Sequence, residues 1–347
     1  MSEAFANARP TLRLAGEERS DLAEVLLTAL ATLPLAGMAS AEVHCVNWAQ
    51  SSAGGGADFA FLDVALGDRL ELSMGADSSS IVFDGEITGI EERYGDGAPR
   101  IVFLAEDRLH RLARRRRSRS FEDRSVDDIA RELAADAGLQ ADVNLSGAGG
   151  TYHQINESDL AFLLRLASRF DVAPRLDNGR LRARAEQADA SPIVLDVQTN
   201  VQELRLLADL NHQANTTTVR GYNAATDQTV SASAHRVAAM AGGSTAADIL
   251  DTLGWPGEDL APVPFPLTQS DAEAAAASHH RGRARRFIHG DVVCDGEAQL
   301  ASGREVDLRG VSPRLRGKYR VVHCAHRFDT RSGYQSELRL SRPDWGS

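Results

Sequence analysis

The sequence predicts an α+β chain dominated by strands, in which two β-rich units flank a mixed α/β unit. Three observations predict it. Short runs of β-branched and apolar residues recur through the first hundred positions and again from about Val194, each closed by Gly, Asp, Asn or Ser. Between these stretches, two helical patterns carry caps and apolar stripes. Finally, 347 residues exceed what one hydrophobic core usually supports, so two or three domains are expected.

The expected units are 1–113, 114–190 and 191–347. In the first, Asp21 to Leu33 reads as a short helix and Gly54 to Gly56 as a loop. Phe59 to Leu66, Arg69 to Met74, Ile81 to Ile90 and Ile101 to Ala105 read as strands, punctuated by Gly67-Asp68, Asp77 to Ser80 and Gly95-Asp96-Gly97. In the second, a helix runs from Val126 to Ala137 and stops at Gly138, a C-cap signal. A second helix follows from Ser158 to Phe170. Asn156 or Ser158 can accept from its first free N–H groups, Glu157 and Asp159 suit the positive end of its dipole, and Leu160, Leu163, Leu164 and Ala167 form one stripe. Asp177-Asn178-Gly179 then turns a short hairpin. The third unit returns to strands around an Ala/Gly/Pro-rich insertion at about 232–266, expected as loop plus a short helix. It closes on a hairpin: Lys318 to Phe328 are mostly β-formers, Asp329 to Gly333 supply turn chemistry, and Tyr334 to Leu340 alternate.

An internal echo links the outer units. Gly67-Asp68-Arg69-Leu70-Glu71-Leu72 followed by Gly85-Glu86-Ile87 parallels Gly303-Arg304-Glu305-Val306-Asp307-Leu308 followed by Gly317-Lys318-Tyr319. If one β-unit occurs twice per chain, three copies make a ring of six similar units, able to join a three-fold object to a six-fold one.

Composition narrows the function classes. Against 38 basic residues stand 49 acidic ones, a net charge of −11, which argues against a general nucleic-acid binder. Cys45, Cys294 and Cys324 are an odd count without CxxC spacing, which suits a reducing compartment. The most apolar early run, Val25 to Leu35, follows acidic residues, contains Thr28 and Thr32 and meets Pro34, so neither a signal peptide nor a membrane span is expected.

No catalytic, cofactor or metal residues are expected. HExxH, GxSxG, P-loop and EF-hand patterns are missing, and Gly147 with Gly149-Gly150 lacks dinucleotide-fingerprint spacing. His323, Cys324 and His326, with Cys294 elsewhere, come nearest to a metal cluster. In a strand, however, His323 faces away from the other two, and zinc needs three or four convergent ligands. His279-His280 reads as part of a solvated helix face. Glu91-Glu92 and Asp127-Asp128 read as turn and helix-start acids rather than acid–base pairs. The basic run Arg111, Arg114, Arg115, Arg116, Arg117 and Arg119 lacks interleaved aromatics and precedes Phe121-Glu122-Asp123. It is expected at a domain junction or subunit contact, where Arg forks pair with carboxylates.

Several segments together resemble the late control D family of phage-tail hub proteins. They are Gln154 to Ala167, Gly317 to Val321, His326 to Asp329 and Gly333 to Leu338, supported by Asn47-Trp48, Ala105 to Leu112, Leu207 to Gln213, Glu273-Ala274 and Phe287 to Gly290. The resemblance implies two tail-tube-like β-barrel units with the mixed unit inserted, forming a pseudo-six-fold ring as a homotrimer. It implies a structural baseplate hub of a phage tail or extracellular contractile injection system, similar to the hub half of VgrG proteins, with inner tube, spike and other baseplate components as partners. Cargo would follow through the central passage. The chain would assemble in the cytoplasm and end in a virion or tail-like particle, and the spike is expected as a separate polypeptide because little sequence follows the closing strands. For Tyr319, His326 and Tyr334 the expected role is folding of the last β-unit. The competing classes are a cell-wall glycan-binding module, which needs an aromatic platform from only five Tyr and three Trp, and a tail-associated hydrolase.

Overall fold

A computed structural model describes residues 9–19, 25–50, 56–75, 80–145, 149–255, 257–263 and 267–346. Parts of three expected elements, at 21–24, Gly54-Gly55 and Asp77 to Ser79, lie outside them. The chain is β-rich, and its longest feature is a thirteen-stranded sheet built from both ends of the sequence. The first half supplies β1 (Thr11–Leu14) with the two-residue strand Glu17–Glu18 beside it, β2 (Leu26–Pro34), β3 (Ser40–Val46), β4 (Arg69–Ser73), β5 (Ile81–Arg93) and β6 (Arg100–Glu106).

The mixed unit follows with α1 (His110–Ala113), β7 (Arg116–Arg124), α2 (Val126–Asp136), β8 (Ala141–Asn144), β9 (Gly150–Ser158), α3 (Asp159–Ser168), β10 (Arg175–Asp177) and β11 (Arg180–Arg184). Its core gathers Phe121, Ile129, Leu133, Phe162, Leu163 and Leu166. Each fully buried Leu or Phe there contributes about 2 kcal/mol. Ser125 and Ser158 cap α2 and α3, accepting from the backbone N–H of Asp128 and Ala161.

The second half adds β12 (Ile193–Asp196) and β13 (Val201–Ala208). A small subdomain comes next: β14 (Thr216–Asn223), β15 (Gln228–Ala234), α4 (Ala246–Leu253), β16 (Glu258–Ala261) and α5 (Gln269–Ala284). The half closes with β17 (Ile288–Asp295), β18 (Glu305–Arg309), β19 (Gly317–Asp329) and β20 (Gly333–Arg342).

The two halves repeat one topology. The order β2-β3-β6-β5-β4 in the first matches β13-β17-β20-β19-β18 in the second, with every neighbour antiparallel. Even the irregularities recur. The register slips between Leu26 and Thr28 of β2 against β3 and between Val201 and Glu203 of β13 against β17, and again at Ile87/Gly89 and Val321/His323. Superposing these slips sets Cys45 on Cys294, both buried. The turns agree as well: Gly67 N–H donates to Ile87 C=O at 2.8 Å and Gly303 N–H to Val321 C=O at 2.8 Å, each glycine holding φ near +90°. A shared bulge needs a shared register, so a slip of even one residue would turn both cores outward. Only the outermost strand differs, β1 running antiparallel to β4 and β12 parallel to β18.

Several expectations need correction. The strands of the long sheet follow an open path from which β18 and β12 branch at β19, and among the described residues they close no barrel. Leu26–Pro34 is strand, not helix, because both its edges are filled, by β3 and by β19 from the far end of the chain. Phe59 to Leu66 forms turns, pinned where Asn47 Oδ1 accepts from Ala60 N–H at 3.1 Å. Gln154 to Ser158 ends β9, so Ser158 alone caps α3 while Asn156 sits at φ 46° inside the strand. The 232–266 excursion holds the end of β15, α4 and β16 in addition to loop. In the echo, the limbs Gly67–Leu72 and Gly303–Leu308 coincide residue for residue. The second limbs are offset by two, since Gly85 faces Leu70 whereas Gly317 faces Leu308.

Candidate functional site: the open edges and outer face of the long sheet

Strand β19 shows how the halves join. One side of it is lined by β20. Along the other, Gly317–Arg320 pairs with β18 and His323–Asp329 pairs with β2, in the register His326↔Ala31 and Phe328↔Ala29. Its counterpart β5 pairs with β6 on one side and through Ile81–Glu86 with β4 on the other. Ile87 still bonds Gly67 and Asp68 on that second side, and beyond it, among the described residues, no strand pairs there, so Gly89–Arg93 is an open edge. The counterpart of β2 is β13, which among the described residues pairs with β17 alone and is another open edge of the sheet, β12 and the two-residue strand Glu17–Glu18 being its remaining outer strands. Leu204 and Leu206 are half-buried there, while Leu207 and Tyr94 are 48% and 65% exposed. Open edges with apolar flanks are templates for another strand.

The sheet face away from the cores is mostly polar, as alternation requires. Glu42 and His44 stand on β3, Arg327 on β19, Glu337 and Arg339 on β20, and Asp291 on β17. Arg339 pairs with Asp291 at 3.1 Å and Arg327 with Glu337 at 3.6 Å. Leu30 and Leu104 add apolar spots on this face.

The two ends of the sheet differ. At the end marked by Pro34, Glu106 and Ala208, the mixed unit leaves after β6 and the subdomain leaves between β13 and β17, where the first half has only the short β2–β3 loop. At the opposite end every connection comes twice: β5–β6 with β19–β20, and β3–β4 with β17–β18. The added units touch each other. Ser278 Oγ donates to Ser168 C=O at 2.9 Å, and Asp171 takes both Arg281 (3.2 Å) and Arg285.

The basic run lies at a unit junction and is largely neutralised within the chain. Arg111 and His110 (Nε2, 2.6 Å) both reach Glu86 of the first half, and Arg114 Nε donates to His110 Nδ1 at 2.9 Å. Arg119 binds Asp159 at 3.1 Å and Arg117 binds Asp136 at 3.1 Å. Arg115 is exposed. Close by, the buried Asp107 carboxylate accepts from Ala39 N–H (2.8 Å) and Leu109 N–H (2.9 Å), and burial pushes it up to about 6. It lines a cavity of about 500 Å³ where the three units meet, beside Arg175 with Glu186 and Arg304 with Asp189.

The other nominated residues have structural surroundings. Tyr319, His326 and Tyr334 are buried. Tyr334 O–H donates to His326 Nδ1 (2.8 Å) while Nε2–H donates to Leu300 C=O (3.0 Å), and burial holds His326 down at about 4. Cys324 shares the His326 side at 3.5 Å and His323 does not. Among the described residues no three His, Cys, Asp or Glu converge on a metal position. Burial pushes the Cys45 and Cys294 thiols up to about 12. Glu91 pairs with Arg93, Glu92 accepts from the Tyr94 hydroxyl, Asp127 accepts from Leu145 N–H and Asp128 accepts from the hydroxyl of the capping Ser125, so all four carboxylates have partners within the chain. His280 corrects the expectation for α5: it is 2% exposed against Thr217 (3.2 Å), because that helix face packs on β14 and β15. No helix among the described residues is long and apolar enough to cross a membrane. The sequence reading missed the open edge of β13, although Leu204 and Leu206 alternating with charges carry the signal.

The family model described as the Alg8 N-terminal domain matches residues 63–329, a family other than the one the sequence motifs resemble. No curated protein sequence matches. Among solved structures, the 43 kDa tail protein of prophage MuSo2 from Shewanella oneidensis is 14% identical with a TM-score of 0.73, over 97% of this chain and 98% of its own. A tail protein from Neisseria meningitidis MC58 is 14% identical with a TM-score of 0.70, over 96% of both chains. The E. coli c3393 protein, a component of the type VI secretion system, is 13% identical with a TM-score of 0.61, over 97% of this chain and 78% of its own. These likenesses are of fold.

Proposed function

The chain belongs to the Alg8 N-terminal domain family, and from its duplicated sheet and its fold likeness to tail proteins we propose that it is the structural baseplate hub of a contractile tail-like particle. Three copies form a ring that joins the six-fold inner tube to the three-fold spike, as in the late control D hubs its motifs resemble. The observation that carries this reading is the duplicated half-sheet with its two large single-copy additions, the mixed unit and the subdomain, at one end. Three such chains present six near-equivalent hairpin ends on one side, suited to a six-fold tube. On the other side they present three mixed units and three subdomains, suited to a three-fold spike.

The mechanism is mechanical. A continuous hydrogen-bonded sheet carries load between tube and spike, and the polar outer face lines a passage for cargo. The neighbours named as tail proteins and as a type VI secretion component fit such a part. The site residues take no part in chemistry under this reading. Glycan binding is less well supported, since the exposed rings Trp48, Tyr94, Tyr222 and Trp255 are spread over separate segments.

The test is the native mass of the purified chain, alone and mixed with candidate trimeric spike proteins. A three-plus-three assembly is expected. A monomer that ignores every spike candidate would overturn the reading.

A further inference from the structure

Resting on that ring reading, we infer that neighbouring subunits join by strand addition, the open edge of β13 from one copy pairing antiparallel with Gly89–Arg93 of β5 in the next. The chain already contains this joint once. β2 docks on the second half of β19, and β13 and β5 are the counterparts of those two strands, matched through identical slips in register. One joint is satisfied inside the chain, and among the described residues the two strands that correspond to it are both left open, as the halves of a second.

The internal joint dictates the register of the external one. Cys324↔Leu33, Ala325↔Thr32, His326↔Ala31 and Arg327↔Leu30 carry over to Ile90↔Ala208, Glu91↔Leu207, Glu92↔Leu206 and Arg93↔Arg205. On the face toward the cores, Leu204 and Leu206 take the positions of Ala29 and Ala31, which are 1% and 0% exposed within the chain, and exposed Tyr94 takes that of Phe328. Glu92 stands at the His326 position, its carboxylate held by the Tyr94 hydroxyl. On the other face, Arg93 and Arg205 would oppose each other with Glu91 and Glu203 as their diagonal neighbours. Each arginine of the opposed pair then has one acid at diagonal distance, which offsets the like-charge contact, and a one-residue slip is excluded because it would turn Leu204 and Leu206 off the core face. Each chain offers one donor edge and one acceptor edge on different halves, so the contact is head-to-tail and closes only as a ring.

Two single variants, Glu91→Cys and Leu207→Cys, are mixed and mildly oxidised, and the same pair is combined in one chain. Directly opposed residues lie 4.5–5.5 Å apart between Cα atoms in a sheet, within disulfide reach. The native cysteines are buried. The mixture is expected to give a covalent dimer and no larger species, and the double variant a ladder ending at trimer. Glu92→Cys with Leu207→Cys, pointing to opposite faces, should give neither. A trimer by native mass that resists cross-linking at 91 and 207 would overturn the strand joint while leaving the hub reading intact. A chain that stays monomeric with and without the spike would overturn both.

Discussion

Two buried groups pull the acid stability of this chain in opposite directions. Asp107 is ionised at a cost: its folded value of about 6 lies above the ordinary 3.8, so the protonated form is favoured in the native state. Its contribution is present at low pH and is lost as pH rises through about 6, an effect of about 3 kcal/mol at most. For His326 the folded value falls from 6.5 to about 4, so its contribution is present above pH 6.5 and is lost as pH falls toward 4. The two largely cancel between pH 4 and 6.5. Asp107→Asn should expose the His326 term, giving stability that drops on acidification, whereas His326→Gln should give stability that drops as pH rises from 4 to 6. Urea titrations at half-unit pH steps read both slopes, and parallel profiles in the two variants would refute the assignment. Asp344 is a different kind of residue. Its buried carboxylate accepts from the N–H groups of Met240, Ala241 and Gly243, next to Arg342, which is 0% exposed and donates to the carbonyls of Arg314 and Arg316. Asp344→Ala strands three donors beside a buried cation and should cost at least about 3 kcal/mol by denaturant unfolding.

Elements whose ends are written locally were legible in the sequence. The β19–β20 hairpin needs only the turn after Asp329, whose carboxylate accepts from Arg331 and Ser332 N–H, and α2 needs only Ser125 before it and Gly138 at φ 70° after it. Elements decided by distant partners were not legible. Leu26–Pro34 has helix-compatible Leu and Ala residues, but its strand state depends on Ala31 meeting His326 almost three hundred positions away. The open edges were hidden for the same reason, since an edge is defined by what fails to pair. Two predictions belong at this scale. Ser158→Ala should cost about 1 kcal/mol through the lost α3 cap, and Asn156→Gly should cost nothing or stabilise, because Asn156 holds a positive φ and caps nothing. The repeated turn offers a matched pair. Gly67→Ala meets open space and should pay only for its φ of +94°, on the order of 1–2 kcal/mol. A Cβ on Gly303 would in addition sit 2.3 Å from Arg175 Nη2, beside its pair with Glu186, so Gly303→Ala should lose more. Equal losses in chemical denaturation would show that the Arg175 side chain yields freely.

For the whole molecule, the asymmetry between the two ends of the sheet makes a prediction about modularity. The subdomain carries its own core around Val219, Leu267, Ala272 and Ala276, and it sits between β13 and β17, strands that pair directly. Their counterparts β2 and β3 are linked by the short run 35–39. Replacing 209–287 by a loop of that kind therefore leaves the register of the long sheet satisfied. It exposes the mixed-unit surface around Ser168 and Asp171, which now faces α5. Its main cost is the loss of Phe287, Ala246 and Leu210 from the core of the second half, of α4, and of the contact between the 240–245 segment and Asp344. Under the proposed assembly, such a chain should still form trimers through β13 and β5 and still bind the tube, whereas its affinity for the spike should fall. Native mass spectrometry of the shortened chain with each partner separates these outcomes. Loss of the tube contact with retention of the spike contact would reverse the polarity assigned to the ring, because it would mean that the duplicated hairpin end is not the six-fold face.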